Sequence, residues 1–169
     1  EEGNLRSQRT WLIGEKSQQS ALILHFAAGG QPMDTSLVVG AAIDAELCFY
    51  PSALPQRALI KERFATQPLS HFIGDATIDS GLAKHAAALS AYPWLDRFPI
   101  AFSEVAPFFE ADRCWIGDLH GNALPLAPKT ESIWKLLAVS GGRPLAIFGE
   151  WNGESLLPLS AWAQGKVIL

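Results

Sequence analysis

Phe148-Gly149-Glu150-Trp151-Asn152-Gly153-Glu154-Ser155-Leu156-Leu157-Pro158-Leu159 is the stretch on which the fold class turns. Two apolar runs flank Asn152-Gly153, the strongest short-range hairpin signal in the chain, because a tight turn needs a residue that accepts a positive backbone angle. Immediately upstream, Thr130 to Val139 reads as a helix, with Ile133, Trp134 and Leu137 facing inward at helical spacing. Gly141-Gly142 supplies left-handed positions that stop it. A helix followed by a hairpin predicts an α+β unit.

The same punctuation recurs twice. Trp115-Ile116-Gly117-Asp118 runs through Gly121-Asn122 to Leu124-Pro125-Leu126, and Trp11-Leu12-Ile13-Gly14-Glu15 runs through a polar turn to Ala21-Leu22. Each is an apolar run, a glycine that permits a bulge or close approach, an acid that opens the turn, then a second apolar run. An old duplication explains the recurrence; so does the small set of residues that hairpins use, and both readings stand.

Further out, Ala21 to Phe26 is the partner of Thr10 to Ile13. Ser36 to Val39 and Ala45 to Tyr50 read as strands, the second with Ala45, Leu47 and Phe49 alternating with Glu46, Cys48 and Tyr50. Pro51 and Pro55 end it. Gln56 to Phe64 reads as a weak strand. A helix follows, capped by Asp75 or Thr77, with Ile78, Leu82, His85, Ala86 and Leu89 on one face, closed by Tyr92-Pro93-Trp94. Arg97 to Phe109 is extended. The expected architecture is α+β, mostly antiparallel β hairpins with about two packed helices. It divides into an N-terminal β-rich part over 1–66, a helical connector over 67–96 and a C-terminal hairpin part over 97–169, or forms a single compact domain.

Composition narrows the function classes. Of 169 residues, 49% are apolar and 18% charged, enough for a sizeable core, and the formal net charge is −4. An acidic chain lacks the field that gathers phosphate backbones, so nucleic-acid binding by this segment alone is disfavoured. No run of about 18 apolar residues is present to span a membrane. Met33 is the sole methionine, which reads as a piece of something longer. Cys48 and Cys114 form no paired motif and are expected as buried free thiols in a reducing cytoplasm.

Candidate chemistry is sparse. Cys114, Asp118 and His120 would need to converge to act as a nucleophile set, yet His120-Gly121-Asn122 reads as the turn itself, with His120 in solvent. His25 in a strand, His85 on the apolar helix face and His71 in a loop have no ligand-spaced companions, so no metal and no cofactor are expected. Asp44 with Glu46, and Glu110 with Asp112, share strand faces and could serve as acid and base; surface acids at strand ends account for them more simply. Ser140-Gly141-Gly142-Arg143 looks like an anion cradle but follows a helix instead of leading into one, so a helix stop accounts for it better. Gly29-Gly30 shares that weakness. Among six tryptophans, Trp151 stands beside the hairpin turn, where it is either an exposed anchor for a partner or folded back over its own hairpin.

Trp134-Lys135-Leu136-Leu137-Ala138-Val139-Ser140-Gly141-Gly142-Arg143-Pro144, Phe148 to Gly153 and Leu157-Pro158-Leu159-Ser160-Ala161-Trp162 resemble the C-terminal end of bacterial SWIM zinc-finger family proteins. Tyr50-Pro51-Ser52-Ala53 and Tyr92-Pro93-Trp94-Leu95 fit more loosely. The resemblance covers about a fifth of the chain. The family's Cys-x-Cys and Cys-x-His ligand pairs are missing, so no zinc ligand carries over. The resemblance implies a zinc module upstream and a role in binding protein or nucleic acid. The expectation is a non-catalytic, cytoplasmic interaction or scaffold domain with a protein partner, with Trp151, Asn152 and Arg143 as interface candidates. The alternative is a small-ligand-binding domain or hydrolase-type enzyme whose site gathers distant acids and histidines.

Overall fold

The computed structural model describes residues 5–69, 71–128, 130–163 and 165–169, with the backbone alone at 130–132. The chain divides into two compact units, Glu1–Leu69 and Ser70–Leu169.

The first unit is two antiparallel hairpins. β1 (Leu5–Ile13) pairs with β2 (Ser20–Ala28), and β3 (Ala41–Phe49) pairs with β4 (Ala58–Pro68). Gly14 N–H donates to Gln19 O at 2.9 Å and Gln18 N–H to Gly14 O at 2.8 Å, closing the first turn. The hairpins are stitched together where Leu22 N–H donates to Gln56 O at 2.7 Å. Ala21, Ile23 and Ala58 form the buried centre, covered by Leu12, Leu47, Phe49 and Ile60. The alternation expected along Ala45 to Tyr50 is present: the odd positions are half-buried and the even ones exposed. β4 runs to Pro68, past the boundary at residue 66 that the sequence suggested.

Ser36 to Val39 is not a strand. The Asp34 carboxylate accepts from Ser36 N–H at 2.8 Å and from Ser36 Oγ at 3.0 Å, a local turn that competes with any ladder. Val38 and Val39 are exposed as a result, and their β-branched side chains gave a misleading signal.

In the second unit, α1 (Ile78–Ala91) precedes a six-stranded antiparallel sheet ordered β10-β9-β8-β5-β6-β7. The strands are β5 (Phe98–Glu110), β6 (Arg113–Gly117), β7 (Ala123–Pro125), then, after α2 (Thr130–Ser140), β8 (Leu145–Trp151), β9 (Leu156–Ala163) and β10 (Lys166–Val167). β5 is the spine: its first half pairs with β8 and its second with β6. The sheet curls until Leu126, just past β7, bridges to Leu156 at the start of β9, with Ala127 N–H donating to Leu156 O at 2.8 Å. Phe102, Val105, Ile116, Leu136, Ile147 and Leu156 fill the interior with no more than 0% exposure each. The molecule is therefore α+β, made of antiparallel hairpins and two helices.

Both helices turn inward as expected at Ile78, Leu82, Ile133 and Leu137, and each departs from expectation at one residue, Ala86 and Trp134. Thr77 is the α1 N-cap, its side chain accepting from Ser80 N–H at 3.2 Å. Ile78, Gly81 and Ala88 face inward and Ala86 faces solvent, because Gly81 lets the helix come close: a Cβ there would lie 2.7 Å from Ile100. On α2, Leu136 is the fully buried residue beside Ile133, and Trp134 is 56% exposed. A helix turns about 100° per residue, so Trp134 cannot share the inward face centred on Ile133, Leu136 and Ser140.

Asp118 clasps the second unit. Its Oδ2 accepts from Ile78 N–H at 2.9 Å and from the Asn122 amide at 3.2 Å; its Oδ1 accepts from His120 N–H at 2.9 Å and Asn122 N–H at 3.0 Å. One carboxylate thus caps α1 and closes the β6–β7 turn. Desolvation pushes its carboxyl up, but the donated hydrogen bonds outweigh that and hold it at about 2. An unfolded aspartate titrates at ~3.9, so the unfolded chain takes up the proton first as pH falls. The clasp therefore stabilises fully above pH ~4, and its contribution fades toward pH 2. Asp118→Ala should cost about 1–2 kcal/mol at pH 7. In urea melts at pH 7, 4 and 2, the gap between wild type and variant should shrink with pH; a constant gap would mean the carboxylate is not the stabilising group.

Candidate interaction groove

The residues singled out by sequence do not meet in one place. Trp151 is 6% exposed and belongs to the core, its ring edge-on to His85 of α1 at 6.5 Å and 90°, so it is no exposed anchor, and the ring partner it meets is on α1. Asn152 is structural: its Oδ1 accepts from Glu154 N–H at 2.9 Å and Ser155 N–H at 2.7 Å. The hairpin loop is therefore four residues long, with Gly153 alone at positive φ, 94°. Arg143 is exposed in the turn that ends α2. Gly141 and Gly142 have φ of 54° and 79°, as a helix stop requires.

The candidate chemical groups are dispersed likewise. Cys48 is exposed, against expectation, because it lies on the solvent side of β3; Cys114 is buried, and both are free thiols. Burial pushes the Cys114 thiol up, away from the thiolate a nucleophile needs. Burial also pushes the His85 imidazole below its ordinary value. His25 Nε2 lies 3.4 Å from Asp34, and His120 is exposed in its turn. Register shifts fall after Asp44 and after Glu46, and Lys61 pairs with Glu46 at 2.7 Å. Asp112 sits in a turn at φ 59°, so it does not continue the face of Glu110. Among the described residues no group of three or more His, Cys, Asp and Glu could hold a metal ion, and no helix is long and apolar enough to cross a membrane.

A groove of about 310 Å³ lies in the second unit, where four segments meet. The β5–β6 turn brings Phe109, Asp112 and Arg113; the end of β7 brings Pro125 and Leu126; α2 brings Ile133 and Trp134; the Asn152 turn brings Glu154 and Ser155. Cys114, Leu126 and Ile133 are buried and make an apolar floor. Phe109 and Trp134 stack along one side, centroids 5.9 Å apart and planes at 27°. Both remain more than half exposed, at 52% and 56%.

The lip is held in a strained form. Ala111 and Asp112 form a two-residue hairpin loop between Glu110 and Arg113, with φ of 48° and 59°. Such a loop calls for positive φ at both positions, usually met by Asn-Gly; a side chain there costs roughly 1–2 kcal/mol. Strain of this kind concentrates where backbone position serves a function. The sequence signal for this site was weak. Ala111-Asp112 carries no turn dipeptide, and Phe109 and Trp134 are 25 positions apart in numbering, brought together only by α2 crossing the sheet.

Among the described residues the lining supplies two carboxylates, one guanidinium, a hydroxyl and the Cys114 thiol, and no imidazole to activate a nucleophile. It is suited to holding a ligand by apolar contact and charge. No protein-family model, no curated protein and no solved structure matches this chain.

Proposed function

We propose that this chain is a non-catalytic interaction or scaffold domain belonging to a larger SWIM-type protein, and that it binds protein through the second unit. The observation that carries this reading is the Phe109–Trp134 pair. Two stacked aromatic rings, each more than half exposed, edge an apolar groove. Aromatic side chains in such positions are the usual anchors of protein interfaces, since they bury large area with few rotatable bonds. The raised Cys114 thiol and the absence of an imidazole from the lining weigh against a hydrolase-type site there. Two unpaired cysteines support a reducing, cytoplasmic setting.

The test places a photo-crosslinking phenylalanine analogue in the full-length protein, in its native cells, at position 134, at 143 or at the exposed position 166. Protein adducts from 134, absent from 166, are the expected outcome. Adducts at 143 would extend the interface to the α2 turn. Equal labelling at 134 and 166 would overturn the reading.

A further inference from the structure

The groove carries more than an apolar ridge, because its lip is charged on one side. Asp112 and Glu154 project from opposite turns, the first from the strained β5–β6 loop and the second from the loop that Asn152 ties down. Among the described residues of the lining Arg113 is the one basic residue, and Glu110 stands directly across the ladder from it. Asp112 and Glu154 against Arg113 leave the described lining at −1. Among the described residues neither Asp112, Glu154 nor Arg113 takes part in an ion pair. Acids above an apolar floor that Arg113 does not pair with complement a positive charge on a partner.

Resting on the interaction reading above, we infer that the groove takes an extended peptide segment of another protein, one that carries an apolar side chain and, within a few residues of it, a lysine or arginine. The apolar side chain sits on Cys114, Leu126 and Ile133. The basic side chain lays its methylene stem along Trp134 and places its charge between Asp112 and Glu154. An arginine gains further from stacking on the indole. A small quaternary ammonium fits less well: the aromatic rings pack against one another at 5.9 Å, so they form a flat wall and leave no cage between them. The volume of about 310 Å³ suits two or three side chains of a peptide, the lower end of ligand-site size.

Selection of a random seven-residue peptide display library on the purified chain tests this, followed by affinity measurements at two salt concentrations. The expected enriched peptides combine Leu, Ile or Phe with Lys or Arg within three positions. Asp112→Asn with Glu154→Gln should weaken them at least tenfold and flatten their salt dependence, and Trp134→Ala should weaken them comparably. All three side chains are surface groups, so circular dichroism should show unchanged folding. Enriched peptides that lack basic residues yet depend on Trp134 would sink the charge inference and leave the groove reading intact. Peptides indifferent to Trp134, or none enriched at all, would sink both. Self-association that Trp134→Ala abolishes would replace the peptide with a second copy of the chain and overturn the inference.

Discussion

Trp151→Ala should lower the stability of the second unit by about 4 kcal/mol, a value typical of removing a buried large aromatic side chain. The indole is 6% exposed and belongs to the same cluster as Ile78, Phe102 and Leu156. It also meets the His85 ring edge-on at 6.5 Å. Truncation would open a cavity where α1 packs on the sheet, and a helix held by one face cannot close it without moving. Denaturant unfolding followed by far-ultraviolet circular dichroism measures the loss independently of the missing fluorophore. A loss below about 1 kcal/mol would mean that the ring is solvent-exposed and that its packing has been misassigned. The binding proposed for the groove should survive in whatever fraction remains folded, since Trp151 does not line it.

Gly149→Ala should cost about 3 kcal/mol, at the upper end of overpacking effects. A Cβ at 149 would lie 2.5 Å from Leu157 O and 2.9 Å from Leu156 Cδ1. The nearer obstacle is backbone, which cannot swing aside as a side-chain tip can. The register shift after Phe148 shows why the strands come so close here: the ladder slips by a residue and resumes at Gly149 opposite Pro158. Gly153→Ala is the informative comparison. Its φ is 94°, but nothing lies within 4 Å of a Cβ at that position, so only backbone strain applies, roughly 1–2 kcal/mol. Equal losses in the two variants, measured in the same denaturant series, would show that close approach is not what demands a glycine at 149.

Element type was legible wherever periodicity and punctuation agreed. The helix stop at Gly141-Gly142, the alternation along β3 and the hairpin glycines followed from local physics, since backbone angle and pleat are set within a few residues. Facing was less legible. Trp134 and Ala86 were turned inward by hydrophobicity alone, whereas the inward direction depends on where the helix comes nearest the sheet, at Gly81 for α1. Trp151 shows the opposite case: its place next to a turn left exposure open, and the ring is buried in the core cluster against His85 of α1. The groove was least legible. Its four contributing segments span Phe109 to Ser155, and no short-range pattern records that the sheet curls to bring them together.

That curl also sets an order of assembly. β5 meets β6 across a two-residue loop, a pairing whose closure entropy is small. Its other half must wait for β8, which arrives only after β6, β7 and α2 have been threaded between. Non-local pairing of this kind is slower than hairpin closure. One half of a single strand is therefore expected to zip early and the other late, with the segments Phe109–Arg113 and Glu154–Ser155 meeting at the late step. A competent groove reports that the whole second unit has finished folding, so a partner that engages it selects completed molecules over intermediates.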